Sequence, residues 1–183
     1  QRQMCIRDRA ESAAVDGSIF AAVDRRNTYQ KSSLVRKILA RFGDDLSDLT
    51  FCVWGLAFKP GTDDVREAPS LITIKALTNA GARLQAYDPE ALDTFYEALV
   101  HEGGQAAQVQ YYTSARSALE GADALVIMTE WKEFWQPDFS MLAQSLRERV
   151  VFDGRNIYDP KIVASYGLDY CGIGRFGVGE ASL

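Results

Sequence analysis

The chain is short of the side chains that most often perform chemistry. It has one histidine, His101, in a polar stretch, and this reads as a surface residue. Its three cysteines, Cys5, Cys52 and Cys171, are odd in number and show no CxxC spacing. That excludes a disulfide framework and a zinc-ligand pattern, and it fits a reducing, cytoplasmic setting. Cys52 and Cys171 fall in apolar strand-like segments, where a thiol stays neutral and inert; neither is a candidate nucleophile. No apolar run approaches the roughly 20 residues of a membrane span, so no membrane partner is expected. Basic excess is also missing. The net charge is -5, whereas a nucleic-acid binder carries a basic stripe, so no nucleic-acid partner is expected. A polyanionic ligand would have to be held by a few local cations, not by the overall field.

What is present suits a globular domain with an appended helix. The 183 residues are 47% hydrophobic and 25% charged, an ordinary balance for a soluble fold. Residues 1–9 (QRQMCIRDR) lack the apolar centre of a signal peptide and match nothing around them. They read as an extraneous segment outside the fold. Residues 12–42 read as one long helix, because Phe20, Val23, Leu34, Val35, Ile38, Leu39 and Phe42 recur at helical spacing. Gly43 stops it. Its middle, DRRNTYQK, is polar, which suggests a connector or an oligomer surface.

From Leu49 onward strands alternate with helices. Residues 50–54 (TFCVW) form an unbroken apolar run, as expected of a parallel strand buried on both faces. Helices are predicted at 69–80, 90–100, 114–119 and 141–147. Further strands are predicted at 83–87, 109–112, 124–128, 150–152 and 168–171. This is an α/β pattern with short connections. It implies a Rossmann-like parallel sheet with helices on both faces, preceded by a long connecting helix.

In such a sheet ligands bind beyond the carboxyl ends of the strands. The segment after the first strand, 55–67, is long for its position and leads into a helix N-terminus, which favours anions. Lys59 offers a point charge and Arg66 a planar fork for phosphate oxygens. An internal salt-bridge net, with Asp63 and Asp64 neutralising both cations, is equally compatible with the spacing. Arg155, in VFDGRN, is either a ligand contact or a turn arginine, and Gly154 permits close backbone approach or positive φ. Trp131 and Trp135 read as core residues. The formal GxGxxG at 172–177 lacks the following helix and strand that a dinucleotide fingerprint needs, so it reads as coincidence.

Four motifs occur in order: GLAFKPGTDDVREAPS at 55–70, AYDP at 86–89, TEW at 129–131 and DGR at 153–155. Together they resemble the C-terminal domain of the UDP-glucose/GDP-mannose dehydrogenase family. The Pro60 and Arg66-Glu67-Ala68-Pro69 variants are most similar to the bacterial UDP-glucose 6-dehydrogenase branch, and the GDP-mannose and UDP-N-acetylmannosamine branches share much of the pattern. The resemblance implies an NAD-dependent, two-step oxidation of a nucleotide sugar to the uronate. By motif position it implies that Phe58, Lys59 and Arg155 contact the UDP-sugar, and that Arg66 reaches NAD held mainly by another domain. It further implies that 10–47 ends a central dimerisation helix, giving a homodimer, and that 48–183 is the UDP-sugar-binding domain. No residue here matches the family's catalytic cysteine segment, so the chain alone is expected to be inactive.

Two other readings remain open on the residues. One is a stand-alone module that dimerises through the long helix. The other is a receiver-like or phosphoryl-transfer domain, holding Mg²⁺ with Asp63, Asp64, Asp88 and Asp153.

Overall fold

A computed structural model of the chain describes residues 18–175. The chain divides into two compact units, Gln1–Ser33 and Leu34–Leu183. In the first, helix α1 (Ser18–Lys31) buries none of its residues, as its polar middle leads one to expect. Ile19 and Tyr29 on it are well exposed.

The stretch expected as one helix is drawn as two, α1 and α2 (Ser33–Phe42). Ser32 separates them. Its hydroxyl donates to the Tyr29 carbonyl at 3.0 Å, a local bond that competes with regular helix geometry. Residues 12–17 lie outside the described range. Gly43 ends α2 with φ 87°, a left-handed cap that glycine adopts freely.

The second unit holds six parallel strands: β1 (Thr50–Trp54), β2 (Arg83–Tyr87), β3 (Val109–Tyr111), β4 (Ala124–Ile127), β5 (Val150–Asp153) and β6 (Asp169–Gly172). Their order is β3-β2-β1-β4-β5-β6. The connections run outward from β1 in one direction and from β4 in the other, so the topological switch lies between those two strands. All five residues of β1 are buried.

Alternate residues of each strand serve different cores, as the two-residue period requires. Phe51, Val53, Leu84, Val126 and Phe152 pack with Leu34 and Ile38 of α2, with Leu71, Ile74 and Leu77 of α3 (Pro69–Asn79), and with Phe95 and Leu99 of α4 (Leu92–His101). Cys52, Trp54, Leu125, Ile127 and Val151 pack with Leu119, Phe134, Leu142 of α5 (Phe139–Ser145) and Val163 of α6 (Pro160–Ser165). Helices thus cover both faces. Each fully buried large side chain contributes roughly 1.5–3 kcal/mol.

Element edges differ from the sequence reading where caps decide. α5 starts two residues early because Asp138 accepts from the Met141 N–H at 3.0 Å. α6 was not expected at all; Asp159 caps it, accepting from the Lys161 N–H at 2.8 Å, and Pro160 opens it. The helix expected at 114–119 is a single 3-10 turn, Ser117–Leu119.

Candidate functional site

The rim is built where β1 and β4 end. Gly55 leaves β1 with φ 90°. A Cβ there would lie 2.5 Å from the Thr129 Cβ and 2.6 Å from the Thr129 N, so the exits of the two strands touch only because this residue is glycine. Asp88, which follows β2 and is 1% exposed, pins the next residues. One carboxylate oxygen accepts from the N–H groups of Leu56 at 2.7 Å and Ala57 at 3.1 Å and from the Trp131 indole at 3.0 Å. The other accepts from Glu90 and Ala91, both at 2.9 Å. The Ser70 and Thr129 hydroxyls donate to the carbonyls of Leu56 and Ala57. The Phe58 N–H donates to the Asp64 carbonyl at 2.8 Å and closes a loop that presents Phe58, 46% exposed, and exposed Lys59.

Arg155 reaches the same rim from β5. Gly154 lets its backbone meet β4: its N–H donates to the Ile127 carbonyl at 2.9 Å, and a Cβ would sit 2.7 Å from that oxygen. Asp153, fully buried, accepts from the Arg155 N–H at 2.9 Å, the Tyr158 N–H at 3.1 Å and the Tyr170 hydroxyl at 3.0 Å. Burial, then the charge of Asp153, pushes the Tyr158 and Tyr170 hydroxyls far above the usual tyrosine range, so both stay protonated. The Arg155 side chain donates from Nε to the Met128 carbonyl at 2.6 Å and from Nη2 to the Phe58 carbonyl at 3.0 Å. Its Nε also lies 3.1 Å from Glu130 Oε2. A guanidinium has five N–H groups. Two are used, and the other three have no partner among the described residues.

Phe58, Lys59 and Arg155 therefore share one edge of the sheet at its switch point, where open α/β folds bind ligands. Against known proteins, the model of the "UDP-glucose/GDP-mannose dehydrogenase family, UDP binding domain" matches residues 52–160. The chain belongs to this family. UDP-glucose 6-dehydrogenases of Pseudomonas aeruginosa and Rhizobium meliloti are 45% and 40% identical to it over 91% and 81% of the chain, which spans 36% and 32% of those proteins. The solved UDP-glucose dehydrogenase of the hyperthermophilic archaeon Pyrobaculum islandicum aligns with a TM-score of 0.74 at 29% identity, covering 93% of this chain and 35% of that one. The chain thus spans about a third of these relatives' length.

In this UDP-binding domain Arg66 is engaged with Asp64: Nε and Nη2 donate to the two carboxylate oxygens at 2.9 and 2.8 Å. These bonds, with the Arg66 backbone N–H at 3.0 Å, lower the Asp64 carboxyl to about 2. The internal salt-bridge alternative thus describes Arg66 closely and Lys59 only at a distance: Lys59 makes no hydrogen bond or close ion pair with any described residue, and its charge is the smallest of those holding the Asp64 carboxyl down. Glu67 follows with φ 61°, an uncommon conformation for a side-chain-bearing residue, and turns the chain into α3.

The receiver-like reading does not fit. Asp88 and Asp153 spend their oxygens on N–H and O–H donors, Asp64 is paired with Arg66, and among the described residues no group of three or more His, Cys, Asp or Glu is placed to hold a metal. Trp131 sits partly buried between the two cores. Trp135, expected in the core, is 52% exposed: the inward position of its turn goes to Phe134, which stacks on Trp54 with centroids 5.1 Å apart. Cys52 is buried, and burial raises its thiol well above the ordinary value; Cys171 is only partly buried. Of the 172–177 glycine pattern, Phe176 and Gly177 lie outside the described residues, as does Cys5. Glu130 was missed as a site residue, and Asp88 was named only as a metal ligand of the receiver-like alternative, although the AYDP and TEW motifs contain them.

Proposed function

We propose that this chain is the nucleotide-sugar-binding part of an NAD-dependent UDP-glucose 6-dehydrogenase, which takes UDP-glucose to UDP-glucuronate. In this reading Phe58, Lys59 and Arg155 contact the UDP-sugar and Arg66 faces NAD. The observation that carries it is Arg155: a cation held across three strand ends with three N–H groups left for an anion. Held donors of this kind bind phosphate without the cost of ordering a free side chain. Phe58 offers an exposed ring for a planar base, and exposed Lys59 a second charge. The names of the relatives favour a uridine nucleotide over a guanosine one.

NAD, when bound, would accept hydride from the sugar. The residue here that fits it is Arg66, whose Nη1 makes no hydrogen bond with any described residue and so suits an anionic group of the cofactor. Asp64 keeps that guanidinium facing one way. Cys52 and Cys171 are placed for packing, so the chain alone is expected to bind but not to turn over. A homodimer through α1, none of whose residues is fully buried among the described residues, completes the proposal; sedimentation of the chain as a monomer would refute that part.

Calorimetry with UDP tests the site. Lys59→Ala should weaken binding by about 1.5–3 kcal/mol, the value of a charge-assisted bond, and UDP should compete better than GDP. Equal affinity of variant and wild type would remove Lys59 from the site.

A further inference from the structure

We propose that Glu130 is the positioning residue that keeps Arg155 in its anion-ready orientation. The proposal rests on reading this rim as the nucleotide site. The Arg155 side chain is only 26% exposed, so much of a permanent cation is out of water. That costs free energy unless an opposite charge is near. The Met128 and Phe58 carbonyls give direction but carry no net charge.

Glu130 supplies the charge. Its Oε2 is buried and accepts no hydrogen bond from any described residue, yet it lies 3.1 Å from Arg155 Nε. The reason is local: Nε has a single hydrogen, and it points to the Met128 carbonyl at 2.6 Å. The contact is therefore Coulombic, in a setting where partial burial strengthens charge pairs. The carboxylate also has a firm mount. The Glu130 carbonyl accepts from the Trp135 indole at 3.2 Å, and its neighbours Thr129 and Trp131 are tied to Ala57 and Asp88. Glu130 sits beside Nε, whereas Nη1 makes no bond to any described residue. The negative charge thus stands at the held side of the guanidinium and leaves the other side for a ligand's phosphate. Glu130 of the TEW motif then acts through Arg155 and touches no ligand.

The test uses the full chain and the variants Glu130→Gln and Glu130→Asp. In the ligand-free protein, the Arg155 Nε–Hε resonance should be ordered in wild type, disordered in Glu130→Gln and largely restored in Glu130→Asp, with the Trp54 and Trp131 indole resonances reporting an intact fold. UDP and uridine are then titrated by NMR. Glu130→Gln should weaken UDP binding by about tenfold, equivalent to about 1.4 kcal/mol, and leave uridine unchanged, because only the diphosphate meets Arg155. Unchanged or tighter UDP binding in Glu130→Gln would overturn the proposal, since the carboxylate would then be idle or merely repel phosphate. If wild type fails to bind UDP, the nucleotide reading fails, and the ligand-free resonance still judges the hold on Arg155: retained order in Glu130→Gln overturns it.

Discussion

Asp88→Asn removes one acceptor oxygen and changes nothing else in shape. The carboxylate now serves five donors from Leu56, Ala57, Glu90, Ala91 and Trp131. An amide oxygen in the better orientation keeps the three on one side. The amide nitrogen then faces the Glu90 and Ala91 N–H groups, donor against donor. Leaving a buried donor unsatisfied costs about 1–3 kcal/mol, so the two together cost about 2–6 kcal/mol. Domains of this size are typically stable by only about 5–15 kcal/mol, so the loss takes a large share. Urea unfolding followed by tryptophan fluorescence should show a lower midpoint with an unchanged slope. A destabilisation below about 1 kcal/mol would refute the assignment of Asp88 as the pin of the β1 exit.

Other changes follow from the same geometry. Gly55→Ala forces a Cβ into Thr129 at a positive φ and should cost more than about 2 kcal/mol in chemical denaturation; a neutral result would mean that the strand exits are not in contact. Phe51→Ala empties a fully buried position and should cost about 3–5 kcal/mol, read the same way. The Asp64 carboxyl, held near 2 chiefly by the side-chain hydrogen bond from Arg66, contributes stability that is complete above its ordinary value of 3.8 and is lost as pH falls through about 2. Carboxyl ¹³C titration checks this, and a midpoint at 3.8 would mean that the pair is absent in solution.

β1, β4 and β5 were legible because each is a short, largely apolar run, whereas β2, β3 and β6 mix polar with apolar residues. β1 and β2 match the sequence reading residue for residue, and the doubly wound class follows from their alternation with helices. α6 was not legible, since Asp159-Pro160 resembles the turn pair Asp88-Pro89 and only tertiary context tells a capped helix from a bend. At the site, the charges of Lys59, Arg66 and Arg155 stood out in the chain, and Asp64 stood out as a possible partner of Arg66, but the partners of Arg155 did not. Asp64 takes Arg66 two residues away, a choice of rotamer that spacing left open. Asp88 and Glu130 act across 32 and 25 positions, on Leu56 and Arg155, and only the folded sheet brings them together. Trp135 read as core because large aromatic residues usually are; one turn of 3-10 helix gave the inward place to Phe134 instead.

In the proposed function a uridine diphosphate lies across the ends of β1, β4 and β5. A crystal structure of the chain with UDP is the most direct measurement of it. The diphosphate should be within hydrogen-bond distance of Arg155 and Lys59, with the base against Phe58. UDP seated on any other face, with Arg155 still making only its present contacts, would contradict it.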